Sequence, residues 1–182
     1  MESIYDFIRQ FPENAHLSDN EILRLRELTL ICKGLTSIPE TIGVLKNLKY
    51  LDLYGNQLTS LPQSIGDLWC LEQLYLNNNR LTELPESIGN LRRLVVLYLD
   101  DNLLTELPES IGNMFDLEDL TLSNNKLNIL PESMRKMVNL KFVNLTNNPL
   151  TNQEETLNIL ILANPKIEVK NKRNSQNFIR VD

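Results

Sequence analysis

Side chains able to do covalent or acid–base chemistry are scarce in this chain and poorly spaced for it. A nucleophile needs a base within hydrogen-bond reach, and the 182 residues include one histidine, His16, and two cysteines, Cys32 and Cys70. His16 falls in a polar link near the start, where neither thiol is expected to meet it. Carboxylates are more plentiful. Asp100 with Asp52 or Asp119 makes a pair that would attract a cation, but nothing around them has the turn glycine and alternating ligands of a calcium loop. No glycine-rich phosphate loop occurs. The expectation is a non-catalytic protein with no metal and no cofactor.

What the chain carries instead is recognition-type side chains at a fixed interval. Tyr50, Tyr54, Tyr75 and Tyr98 are four of its five tyrosines. They sit at the third, fifth or seventh place of a skeleton, L-x-x-L-x-L-x-x-N-x-L, that returns every 23 residues. Glu27, Asp52, Asp100, Asp101 and Asp119 share those places or the eighth. No lysine or arginine does, although the chain has 18 of them. Tyrosine is an anchor residue at interfaces because it covers much area at small entropy cost, although it also favours strands for its own packing. A surface bearing only acids repels phosphate backbones. The partner expected is therefore another protein, through a basic or mixed basic and aromatic segment, and not nucleic acid. The candidate binding residues are Tyr50, Asp52, Tyr54, Gln73, Tyr75, Asn77, Val96, Tyr98, Asp100 and Asp119, with the solvated face of an ordinary domain as the plainer alternative.

The elements that must position these residues follow from the skeleton. Its copies run from Leu48, Leu71, Leu94, Leu117 and Leu140, and a degenerate one precedes them at Leu25, with Lys33 in the asparagine's place. Leucines at the first, fourth and sixth places put one face of a short strand in the core, so the places between them face outward. Asn56, Asn79, Asn102, Asn125 and Asn148 are expected to bond backbone groups that the following turn leaves unpaired. A leucine and proline then lead into a short helical return, as in Leu61-Pro62-Gln63-Ser64-Ile65-Gly66, because proline suits a first helical turn and cannot continue a ladder.

Stacking such units gives an α/β solenoid with a concave parallel sheet and short helical or 3₁₀ segments on the convex side. The unit resembles the leucine-rich repeats of intracellular Ras-group proteins, their plant relatives and bacterial effectors. That resemblance covers residues 25–150 and implies a right-handed horseshoe arc whose inner sheet binds protein. A bacterial effector acting on a host protein, or the targeting domain of a larger enzyme, are the alternatives it leaves.

Four segments are expected. Residues 1–24 form an N-terminal helical cap, with Ile4, Phe7, Ile8 and Phe11 at helical spacing and Ser18 and Glu21 as a capping box. Residues 25–150 hold six repeats. Residues 151–169 form a C-terminal helical cap, with Thr151 and Glu154 as a second capping box, Leu157, Leu160 and Ile161 as the apolar stripe, and an edge strand at Ile167-Glu168-Val169. Residues 170–182 are a basic mobile tail. Residues 166–182 carry a net charge of +3, within a chain of −6 overall. On the outer side, Trp69 and Phe115 share a column with Lys46 and Arg92, a place at least partly open to solvent, and are expected to pack against neighbouring arcs, with a convex or edge site as the alternative. Glu40, Glu86, Glu109 and Glu132 read as solvated helix starts. No apolar run reaches the ~18 residues of a membrane span, and the first residues lack a secretory signal. The cysteines match no paired cap of secreted repeats. A cytoplasmic monomer is expected, or one delivered into a host cytosol.

Overall fold

The computed structural model describes residues 3–151, 153–171 and 178–180. Six strands follow the six skeletons: β1 Glu27–Thr29, β2 Tyr50–Asp52, β3 Gln73–Tyr75, β4 Val96–Tyr98, β5 Asp119–Thr121 and β6 Phe142–Asn144. Each pairs in parallel with the next at a constant register, Leu28, Leu51, Leu74, Leu97, Leu120 and Val143 lying side by side. That row and the leucines flanking it are buried and form one continuous core. A strand of three residues has too little ladder to stand alone. Its order comes from its neighbours on both sides.

The returns are single 3₁₀ segments, Glu40–Val44, Gln63–Asp67, Glu86–Asn90, Glu109–Asn113 and Glu132–Lys136, each entered through a proline in extended conformation. Their glycines let successive arcs approach. A Cβ on Gly66, Gly89 or Gly112 would collide with the backbone carbonyl of Ser87, Ser110 or Ser133 in the next arc. Arg135 stands at this place in the last arc, where the following element is a full helix, and its guanidinium pairs with Glu132 at 2.6 Å.

The asparagine ladder has the expected role. Asn102 Nδ2 donates to the carbonyls of Leu76 and Leu99, and its Oδ1 accepts from Leu81 N–H. The same three contacts recur at Asn79 and Asn125. One place earlier, Cys32, Asn78, Asp101, Asn124 and Asn147 all adopt positive φ, and Gly55 does so in the second repeat. Small polar residues and glycine tolerate that left-handed turn. Their types are therefore set by the backbone as much as by any ligand.

The glutamate column differs from the expectation. Glu40 accepts from the backbone N–H of Gln63 and Ser64, which holds its carboxyl below the usual range. Glu86 accepts from Ser110 N–H and Glu109 from Ser133 N–H. These side chains tie one arc to the next rather than standing free in solvent.

Both caps are helical. Helix α1, Ile4–Arg9, buries Ile4, Phe7 and Ile8 against the first repeat, and α2, Asp19–Leu23, starts on the Ser18–Glu21 capping box. At the other end α3, Gln153–Ala163, stacks on the last arc and buries Ile159 and Leu160. Thr151 donates its hydroxyl to the Asn128 carbonyl. Beyond α3, β7 (Glu168–Lys170) extends the parallel sheet, and β8 (Phe178–Arg180) pairs with it antiparallel. The expected free tail thus contributes to a strand at each end, Lys170 to β7 and residues 178–180 to β8. The side chain of Leu157 and the basic Lys172 and Arg173 lie outside the described residues. No helix among the described residues is long and apolar enough to cross a membrane.

Candidate functional site: the concave face

The register places the candidate residues in three rows across the sheet. The first row contains Tyr50, Gln73, Val96 and Asp119, and the second contains Asp52, Tyr75, Tyr98 and Thr121. The third, two residues further on, holds Tyr54, Asn77 and Asp100. Neighbouring strands lie ~4.8 Å apart, so the residues of one row touch.

Tyr75 is the centre of an aromatic cluster. Its ring centroid is 5.3 Å from Tyr50 and 5.1 Å from Tyr98, the latter contact edge-to-face. Aromatic pairs at such distances favour tilted or perpendicular rings. The Tyr75 hydroxyl donates to Gln73 Oε1 at 2.8 Å and that of Tyr50 to Asp52 Oδ2 at 3.1 Å. All three rings are half-buried. Burial raises each phenol's pKa, that of Tyr50 to about 12, with the Asp52 carboxylate adding to the rise. These phenols remain neutral hydrogen-bond donors at neutral pH. Tyr54 stands outside these ring contacts at 40% exposure.

Two expectations about the acids need correction. Asp52 is only 7% exposed, because Tyr50 and Tyr75 flank it. Its carboxylate accepts from Tyr50 Oη and Tyr54 N–H, so it positions the tyrosines. Thr121 is buried as well, donating its hydroxyl to Asp100. Asp100 also accepts from the N–H and hydroxyl of Ser123. Asp119, Asp100 and Gln73 remain half-buried and Asp101 exposed. Asp101 accepts from Asn124 Nδ2, and Asn147 Nδ2 donates to Asn124 Oδ1, a side-chain ladder along the rim. Asn77 Oδ1 is buried without a partner among the described residues, a cost that a donor from outside would remove.

The face is therefore aromatic at β2–β4 and anionic and hydroxylated at β4–β5. Its rows hold no lysine or arginine from Glu27 to Thr146. No group of three or more His, Cys, Asp or Glu suited to a metal ion occurs among the described residues. His16 is exposed in the N-terminal cap, and both cysteines are free thiols. Sequence reasoning did not detect the hydrogen bonds that turn Asp52 and Asp100 inward, since nothing in the repeat separates a carboxylate bound by its neighbours from one that is free.

The outer column also departs from expectation. Trp69 is 61% exposed and Phe115 43% exposed, so neither packs into an adjacent arc. Both project from the turn that enters a strand, and Lys46 Nζ lies 4.7 Å from the centre of the Trp69 ring.

A solved leucine-rich-repeat protein of Leptospira interrogans is similar to this chain, with 37% identity and a TM-score of 0.77. The match covers 82% of this chain and 38% of that one, so the sequence spans well under half the length of its structural relative. No curated protein matches. The family model for a leucine-rich repeat region matches residues 3–164, caps included. Proteins of this fold typically bind other proteins and are typically non-catalytic. On repeat, register and family match together, the chain belongs to the leucine-rich-repeat family.

Proposed function

We propose that this protein is a binding module that holds a basic segment of another protein against its concave face. The observation that carries the reading is the Tyr50–Tyr75–Tyr98 cluster, three touching and partly exposed rings in rows that hold no lysine or arginine from Glu27 to Thr146. Rigid aromatic area provides the anchors. Asp119, Asp100 and Asp101 supply the negative potential that steers and pairs with lysine or arginine. Tyr54, Gln73, Asn77 and Val96 surround the anchors, and Asp52 acts indirectly by holding Tyr50 in place. The module works in the cytoplasm as a monomer.

The test is calorimetric titration with short peptides rich in Lys, Arg and Phe, alongside acidic counterparts of matched length. Basic peptides bind and acidic ones do not. Tyr75→Ala/Tyr98→Ala lowers affinity by about 2 kcal/mol while the thermal transition stays cooperative. Preference for the acidic set, or affinity unchanged in a folded double variant, rejects the concave site.

A further inference from the structure

Lys46, Trp69, Arg92, Phe115 and Val138 occupy one place in five successive repeats. They form a strip along the lateral edge of the solenoid, at the turns that lead into the strands. The stacking is direct, since the Lys46 ammonium sits over the Trp69 ring and reaches the Asp67 carbonyl at 3.2 Å. Trp69, Phe115 and Val138 are 61%, 43% and 61% exposed, the only tryptophan of the chain among them. Large apolar side chains aligned at one edge mark an interaction surface more often than scattered ones do. Some of the turns that present them are tied to a neighbouring repeat. Asn47 Nδ2 donates to the Leu23 carbonyl and Asn139 Nδ2 to the Phe115 carbonyl, pinning the backbone from one repeat to the next.

The charge of this edge is opposite to that of the concave face. Lys46, Arg92, Arg93 and Lys136 stand on or beside the strip, against Asp67 and Asp116. Asp67 is 3.6 Å from Lys46. Arg92, Arg93 and Lys136 are exposed and form no ion pair among the described residues. Between the strip and the concave rows, Lys49 pairs with Glu72 and Lys141 with Glu118. Those two ion pairs, lying beside the tyrosine strands, separate the basic strip from the acidic rows.

We propose that this edge is a second docking surface, for an acidic segment of a partner protein that carries an aromatic or branched apolar side chain. Trp69 and Phe115 lie two repeats apart, ~10 Å at the strand spacing, with Arg92 between them. An apolar side chain of the partner seats between the two rings, and its flanking carboxylates meet Arg92 and Arg93. Arginine and tryptophan are the residues that most often dominate such contacts. Because the two surfaces take segments of opposite charge, the module can bridge two proteins. The edge docking stands whether or not the concave face binds as proposed.

Trp69 is its own probe. A short random-peptide library is selected on the full chain and counter-selected on Trp69→Ala/Phe115→Ala, whose altered side chains lie outside the core. Binders are expected to be net acidic with an apolar residue. They should shift Trp69 emission, weaken about tenfold or more with Arg92→Glu, and retain affinity for Tyr75→Ala/Tyr98→Ala. Selection that yields no peptide sensitive to the double variant, or yields neutral or basic ones, overturns the proposal. So does concentration-dependent dimerisation that Trp69→Ala abolishes in sedimentation, which would assign the strip to a second copy of the chain.

Discussion

At the scale of single residues, the same chemical type has different tasks according to its place in the repeat. Asn102 makes four hydrogen bonds to main-chain groups, while Asn113, at the end of an arc, is exposed. Removing a buried partner leaves each main-chain group unsatisfied at 1–3 kcal/mol, so Asn102→Ala should lose about 3 kcal/mol in urea unfolding. Asn113→Ala should stay within about 0.5 kcal/mol of the wild type. Tyr50 offers a pH test. Its phenol titrates near 12 in the folded state against an ordinary 10.0. A folded pKa above the unfolded one means stability that is complete below the ordinary value and lost as pH rises through the folded one. Tyr50→Phe should therefore lose less stability than the wild type between these limits, as followed by thermal melts.

At the scale of elements, the spacing between arcs is set by what projects from them. Gly89 faces the Ser110 carbonyl so closely that a methyl group forces the arcs apart. Gly89→Ala should destabilise by about 3 kcal/mol, the upper range for overpacking. Gly34 has positive φ, but a Cβ there would meet only the end of the Gln57 side chain, at an ordinary contact distance of 3.9 Å. Gly34→Ala should cost only the backbone term, about 1 kcal/mol. Arg135→Ala should be neutral within about 0.5 kcal/mol, because α3 follows and the Glu132 pair is exposed to solvent. Denaturation midpoints of the three variants check the order. The 23-residue phase runs on into the cap: Glu155 and Thr156 continue the columns of Glu132 and Ser133. Thr156 is buried, so α3 closes the core as a modified repeat.

At the scale of the whole molecule, a parallel sheet bears carboxylates and tyrosines on its inner face, while three cations that form no ion pair among the described residues and an exposed tryptophan lie along one edge. Concave binding of a basic segment should weaken steeply with added salt, because the acids there are partly exposed and act over a Debye length. Titrations with basic peptides at two ionic strengths check this; affinity independent of salt would leave the tyrosines as the only source of binding.

The strands, their register and the asparagine ladder were legible in the sequence, since a repeat in constant phase says which leucines are hidden together. The candidate concave residues were legible as positions on one face of the sheet. Asp52 counted as exposed because alternation along a strand records direction and not what lies above a side chain. Trp69 and Phe115 counted as packed because a column of mixed types shows that a place tolerates variety, without showing what covers it.

Sequence alone determined the family of fold and the inner surface, because the spacing of leucine, asparagine and proline admits one way of burying the first and pairing the others. Only the tertiary structure decided which acids are free, that the three tyrosines touch, and that the outer aromatics face water. Those outcomes depend on distances between side chains in different repeats, which no single repeat specifies.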